Sequence, residues 1–388
     1  MTRSVAPTTP AQALLLLCAN PQAATDAVAA GLPADDAAWE AFLALAAGHG
    51  VLSLVHRRLS AEAIPLWVAA RLRAALEDTL AQNLFLTAEL LRLLERFAAG
   101  GVRVMPLKGP TLALRLYGNV GLREVRDLDV LVHPSDAEPA HRLLMESGYR
   151  PDIPLTPRQE AFYLAHGAMR NFVRRDGRMV VELHWRLAQR YLLFALPFDE
   201  LWRRRTVQPL GGRSIPDLAP EDLLIVLCAH GAKHRWSRLL WIADVAEFLW
   251  HERPDWEATL ERARSMGCTR MVLVGATLAG SLLRAPLPDI LAAGAATDPM
   301  VGTLRDQVTR RLWVPDHSAV AERVGFSMFY YRCRERIGDR LRYVWRSATT
   351  PNLQDWSALR LPPALSVLYY AFRPLRLIWK YGSEVVRG

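Results

Sequence analysis

An apolar run broken by two acids, Val125-Arg126-Asp127-Leu128-Asp129-Val130-Leu131-Val132, constrains this chain more than any other segment. Its aliphatic, β-branched character is that of a buried strand. Side chains alternate along a strand, so Asp127 and Asp129 share one side, roughly 6–7 Å apart along the chain. Leu128, Val130 and Val132 share the other side. Two neighbouring carboxylates repel and resist joint ionisation unless a cation lies between them. An apolar strand that carries such a pair points to a bound metal. The alternative is a solvent-facing strand end with two unrelated acids.

A later segment supplies companions. In Val180-Val181-Glu182-Leu183-His184-Trp185 the same alternation puts Glu182 and His184 on one face and Val181 and Leu183 on the other. Upstream, Lys108-Gly109-Pro110 is a turn between a short strand (102–107) and a helix from about Thr111 to Tyr117, with Pro110 suited to the first helical position. A glycine just before a helix N-terminus lets the backbone approach a phosphate, which the free N–H groups receive. Oxygen ligands from Asp127, Asp129 and Glu182 select magnesium or manganese over zinc. Two such ions can bridge an attacking oxygen and a leaving pyrophosphate. For Glu182 the alternative is a surface acid at a strand end.

On these residues the chain resembles the nucleotidyltransferase superfamily that includes DNA polymerase β and the aminoglycoside nucleotidyltransferases. That superfamily joins a glycine turn to a hydrophobic-Asp-hydrophobic-Asp/Glu strand and a third carboxylate on a later strand. More closely, the chain is similar to the bacterial family of uncharacterised nucleotidyltransferases. The segments that carry the likeness are Leu107-Lys108-Gly109, Tyr117-Gly118, Arg123, Asp127 to Val132 and Glu182 to Trp185. His230-Gly231-Ala232-Lys233-His234-Arg235-Trp236 and Asp244 extend it, so that it covers about residues 35–375. Lys108 stands where the wider superfamily has a first glycine, and the interval from Gly109 to Asp127 is longer than in its small members; both are usual in the closer family.

The resemblance implies an α+β fold: a polymerase β-like mixed sheet core flanked by large helical N- and C-terminal regions. It implies transfer of a nucleoside monophosphate, AMP above all, from an NTP (ATP favoured) to a hydroxyl of a small molecule, peptide or protein, releasing pyrophosphate. Asp127, Asp129 and Glu182 would be the catalytic acids and hold two magnesium or manganese ions, with Glu182 also helping to activate the acceptor hydroxyl. The competing classes are a nucleotide-binding regulatory module without chemistry and an RNA-directed nucleotidyltransferase.

Only three of the 48 basic residues are lysines: Lys108, Lys233 and Lys380. Arginine cannot replace lysine where a compact ammonium is needed. Lys108 and Lys233 are therefore read, with Gly109 and Arg123, as nucleotide contacts, and Lys380 as a chance survivor in a basic tail. A solvated helix face is the alternative for Lys233, and Arg123 is suited to brace either a carboxylate or a phosphate. His230 and His234 lie four apart on one helix, but no HExxH glutamate or third ligand accompanies them. With His184 they are read as supporting polar residues. Trp236 and Trp241 are read as core, with stacking on a nucleobase as the alternative.

Helical periodicity marks 37–45 and 66–97, the latter stopped by Gly100-Gly101. Ser135 is placed to cap a helix over 136–146, and Asp176-Gly177 to form a type I′ turn between strands 169–175 and 178–184. A smaller hairpin is expected around Gly211-Gly212. Helices are expected from Pro220 to His230, then over 239–251, 256–266, 270–283 and 303–312. The chain divides on this reading into a helical region (1–100), a catalytic core (101–217), a helical substrate or nucleotide domain (218–325) and an aromatic, basic extension (326–388). Within the extension, Leu361-Pro362-Pro363 is a break, and 361–380 reads as a packing helix broken at Pro374, with contact to a membrane surface as the alternative.

The net charge of +9 suits an anionic partner, but read as spread along the chain it gives little direction; it permits nucleic acid without a linear motif that demands it. Cys18, Cys228, Cys268 and Cys333 form no CxxC pair, which argues against a zinc cluster or disulfide framework and for a cytoplasmic, reducing setting. No apolar run is long enough to span a bilayer, and residues 1–19 lack a cleavage site and read as a first helix. The oligomeric state is left open.

Overall fold

The computed structural model describes residues 9–59, 63–187, 197–314, 328–350 and 368–376. Helices open the chain: α1 (Pro10–Ala19), α2 (Thr25–Ala29), α3 (Asp36–His49), α4 (Leu52–Arg58) and α5 (Leu66–Ala99). Local chemistry sets their ends. Thr9 and Gln12 form a reciprocal capping box at the start of α1, with Pro10 at its first position. Asp35 caps α3, and Gly50, with φ of 71°, closes it in the left-handed conformation. The 34-residue α5 serves two cores. Its first half buries Val68 and Leu72 in the cluster that holds α1, α3 and α4. Its second half buries Leu86, Leu90, Leu93 and Phe97, one helical face, in the cluster beneath the sheet.

The sheet contains β1 (Val104–Pro106), β2 (Leu128–Val132), β3 (Tyr149–Pro151), β4 (Met169–Arg174) and β5 (Val180–His184) in the order β1-β2-β5-β4-β3. β2 and β5 run parallel; the other neighbours are antiparallel. α6 (Pro110–Tyr117), α7 (Ala137–Glu146) and α8 (Pro157–His166) connect the strands. Leu128, Val130, Val132, Val181 and Leu183 share a core with the second half of α5 and with Ala140 and Leu144 of α7. That packing dedicates one face of β2 and β5 to burial and leaves the acids on the other.

Beyond α9 (Phe198–Arg204), β6 (Thr206–Leu210) and β7 (Arg213–Asp217) make the smaller hairpin; Gly211 and Gly212 both have positive φ, as a type I′ turn requires. Helices follow: α10 (Pro220–Lys233), α11 (Leu239–His251), α12 (Trp256–Ser265), α13 (Thr269–Leu283), α14 (Asp289–Thr297), α15 (Pro299–Arg311), α16 (Met328–Cys333) and α17 (Ile337–Thr349). The chain is thus α+β, a mixed sheet with helical flanks. Its larger core runs from Leu14 on α1 to Tyr343 on α17 and includes Leu131 of β2. Cys18, Cys228, Cys268 and Cys333 are free and buried. No helix among the described residues is long and apolar enough to cross a membrane.

Some local expectations are corrected. At Asp176-Gly177 only Gly177 has positive φ, and its N–H reaches Arg174 O at 2.8 Å. The turn is therefore a type I turn over 174–177 with a left-handed glycine, not type I′. Ser135 does not cap α7: it lies in a 3₁₀ turn (Pro134–Asp136), its N–H held by His133 Nδ1 at 3.2 Å. α8, α9, α14 and β3 were not anticipated. Pro374 lies inside a helical run, 369–376, that packs back on α17 through Arg373 Nε and Ser347 O at 3.0 Å. Leu361-Pro362-Pro363 and Lys380 lie outside the described residues.

One buried contact ties the N-terminal helices to α11. His49 Nδ1 accepts the Leu239 N–H at 3.2 Å, which requires an unprotonated nitrogen. Burial, with the nearby Arg238 charge, pushes the His49 pKa down to about 4. The unfolded chain binds this proton first, near 6.5, so the contribution is complete above that pH and is lost as pH falls toward 4. Urea unfolding of the native protein should therefore lose about 2 kcal/mol more stability between pH 7 and pH 5 than that of the His49→Gln variant. Equal losses in both would remove His49 from the account.

Candidate active site

The parallel pairing of β2 with β5 sets Asp129 directly beside Glu182, and Leu131 beside His184. Paired residues share a face, so Asp129, Glu182 and His184 converge. One ligand atom from each lies within 4.8 Å of the others. His184 Nε2 is 3.3 Å from Asp129 Oδ1 and 3.4 Å from Glu182 Oε2. Lys108 Nζ is 3.0 Å from Asp129 Oδ2 and 3.4 Å from His230 Nδ1. An ammonium only donates, so His230 Nδ1 accepts and the ring is neutral with its proton on Nε2.

The electrostatics follow from this crowding. Burial favours a neutral Asp129, but the Lys108 charge and the His184 hydrogen bond outweigh it and hold the carboxyl well below the usual range. Asp127, just before β2, is pushed up to about 6, first by burial and then by the charges of Asp129 and Glu182, against Lys108. Burial opposes a charged His184, yet its bonds to Asp129 and Glu182 win and raise its pKa. Burial and the charge of Lys108 keep His230 neutral, and burial with Lys233 pushes His234 down to about 3.

Asp127 thus sits in a buried setting beside two further acids, with Lys108 as the nearest opposing charge. Two carboxylates and an imidazole around one point, with a third acid beside them, fit a divalent cation. Asp127, Asp129 and Glu182 were expected as the ligand set with His184 in support. The structure groups Asp129, Glu182 and His184, and sets Asp127 alongside in electrostatic contact with both acids.

These residues line a cavity of about 290 Å3 together with Lys108, Gly109, Lys233, His234 and Trp241. Gly109 caps α6 with φ 84° and ψ −143°, a conformation that side chains other than glycine's resist. Lys233 keeps exposed surface on the cavity wall, yet the protein around it strips part of its hydration. That desolvation, with Lys108, lowers its pKa against the pull of Glu182. Lys233 makes no ion pair among the described residues.

Two further segments singled out in the sequence are positioning devices. Arg123 Nε and Nη2 each lie 2.8 Å from Asp244 on α11, and Tyr117 Oη donates to the same carboxylate at 2.9 Å. All three residues are buried. Arg123 lines the cavity, and with Nε and Nη2 held by Asp244 it braces the loop before β2. Asn83 Nδ2 on α5 donates to the carbonyls of Val120 and Arg123 and secures the loop from the other side.

The His-Gly-x-Lys-His-x-Trp segment is a helix stop. Trp236 N–H returns to Gly231 O at 2.8 Å, with Arg235 and Trp236 both at φ 55°. Left-handed backbone at such residues costs about 1–2 kcal/mol each. Trp236 offsets that strain by burying its indole fully between two glycines. A Cβ would lie 2.5 Å from the ring at Gly231 and 2.9 Å at Gly275. Trp236 is therefore core and inaccessible to a base, whereas Trp241 faces the cavity with its ring 5.3 Å from His230 and 5.0 Å from His234. Arg238 also lines the cavity and was not singled out; one arginine among so many carries no mark.

A family model described as uncharacterised nucleotidyltransferase matches residues 35–284, which include the acids, histidines and lysines of the cavity. No curated protein and no solved structure matches the chain.

Two outcomes check this geometry. Gly231→Ala should destabilise the fold by about 3 kcal/mol by forcing the indole out of its slot, read as a lower thermal midpoint. Titration with Mn2+ followed by electron paramagnetic resonance should show binding that Asp129→Asn weakens at least ~10-fold while circular dichroism stays unchanged. Equal Mn2+ affinity in both proteins would disprove the metal assignment.

Proposed function

Because the chain belongs to the uncharacterised nucleotidyltransferase family, we propose that it moves a nucleoside monophosphate, AMP by preference, from an NTP to an acceptor hydroxyl and releases pyrophosphate. It is a transferase of phosphorus-containing groups. The observation that carries the reading is the in-register pairing of Asp129 with Glu182 at the wall of a cavity that also presents Lys108 and Lys233. Magnesium or manganese, two ions in this reading, would be held by Asp127, Asp129 and Glu182 with His184 beside them, and supplies charge neutralisation on the triphosphate and a more acidic acceptor hydroxyl.

The chain's own residues do the rest. Lys108 and Lys233 bind triphosphate oxygens as point charges. Gly109 admits the backbone at the start of α6 to a phosphate oxygen. Glu182 is more accessible than Asp129, with 24% of its side chain exposed against 5%, and takes the proton of the acceptor hydroxyl. His184 keeps both carboxylates oriented. Arg123, through Asp244, fixes the loop that delivers Asp127. Trp241 with His230 and His234 forms an aromatic wall suited to the base. The acceptor is a small molecule, peptide or protein.

Incubation with NTPs labelled on the α-phosphate, in the presence of a cell extract, should label an acceptor and release pyrophosphate. Asp129→Asn and Glu182→Gln should each lower the rate at least ~1,000-fold, and Lys233→Met should raise the KM for the NTP more than it lowers kcat. Undiminished transfer by Asp129→Asn would refute the proposal.

A further inference from the structure

The last described helices carry an apolar stripe that the fold does not use. On α17, Ile337, Leu341, Val344 and Trp345 fall at helical spacings of four, seven and eight and point outward; Ile337 is 72% exposed, Leu341 65% and Trp345 70%. The opposite side of the same helix is buried through Tyr343 and Ser347, the Tyr343 ring lying 5.3 Å from that of Tyr330 on α16. α17 is thus docked by one face and open on an apolar other. Most exposed apolar residues are scattered singly; four on one helical face form a patch that needs an occupant.

Charge identifies the occupant. The basic surplus, read above as spread along the chain, is concentrated: residues 328–388 contain eleven arginines and lysines against four acids, in a chain of 48 against 39. Exposed Arg332, Arg336 and Arg342 lie on and beside α17. This region also falls outside the matched family segment, which ends at residue 284. A second copy of the chain would set these arginines against their own kind. A nucleic acid would answer the arginines but leave the aliphatic stripe uncovered.

We propose that α17 rests in the plane of an anionic lipid surface, with Ile337, Leu341, Val344 and Trp345 inserted below the headgroups and the flanking arginines against lipid phosphates. The inserted indole and the cationic borders match how amphipathic helices bind at interfaces. With thirteen residues α17 is too short to cross a bilayer, so it lies along the interface. It holds whether or not the catalytic reading does.

The test is flotation of the full-length protein with vesicles of phosphatidylcholine containing 30 mol % phosphatidylglycerol, roughly the regime in which surface potential attracts basic segments. The native protein should float with these vesicles and at least ~10-fold less with pure phosphatidylcholine. The double variant Leu341→Glu, Trp345→Glu should lose at least ~10-fold in partition, and Arg332→Gln with Arg342→Gln should lose it in a salt-dependent manner. All four positions are exposed, and unchanged thermal melting certifies the fold of each variant. Three results would overturn the proposal: no flotation of the native protein, equal flotation of the Glu variant, or a native dimer that the Glu variant dissolves in the absence of lipid. Binding to single-stranded RNA with no binding to vesicles would replace the lipid surface with nucleic acid.

Discussion

The pairing of β2 with β5 is the contact on which the rest depends. Because side chains alternate, one register decides both faces of the sheet at once. It sends Leu128, Val130, Val132, Val181 and Leu183 into the core beneath, and brings Asp129, Glu182 and His184 together above. A slip of one residue would bury the acids and expose the aliphatics. The hydrophobic core and the acid–histidine cluster are thus two readouts of one set of backbone hydrogen bonds, and burial of the apolar face holds mutually repelling carboxylates side by side.

The second support is the end of α10. Lys233 and His234 are carried there on a helix that stops abruptly, and the stop is held by Trp236 wedged between Gly231 and Gly275. Strain at Arg235 and Trp236 is tolerated because the indole is enclosed. Across the cavity, Asp244 gathers Tyr117 and Arg123 into one buried unit. A buried ion pair of this kind adds little net stability over apolar packing, but loss of one partner strands the other, so it acts as a strict positional constraint.

The residues of the candidate site were legible because alternation is a local rule: two acids on an apolar strand, and a glutamate and histidine on another, announce which face they occupy. Rare lysines in an arginine-rich chain likewise pointed to Lys108 and Lys233, and both line the cavity. What escaped is non-local. Nothing near Glu182 says that it lies beside Asp129, or that His184 takes a place in the group where Asp127 was expected. Arg123 reads equally well as a phosphate contact until Asp244 is seen to hold it. Trp236 carries the same letters whether it stacks on a base or fills a slot between glycines. α14, where alanine fills four of nine positions, and α8, whose apolar residues fall in one run over 161–165, lack the apolar period by which the other helices were found.

Parallel strands cannot be joined by a tight turn, and between β2 and β5 the chain must travel through α7, β3, α8 and β4 before it returns. The three acids therefore meet only after a long loop has closed, a step whose entropy is met before any contact rewards it. No shorter fragment that ends before β5 holds all of them. The cluster therefore assembles only when β2 and β5 pair, and a chain still being synthesised holds an incomplete set of acids until Glu182 has emerged.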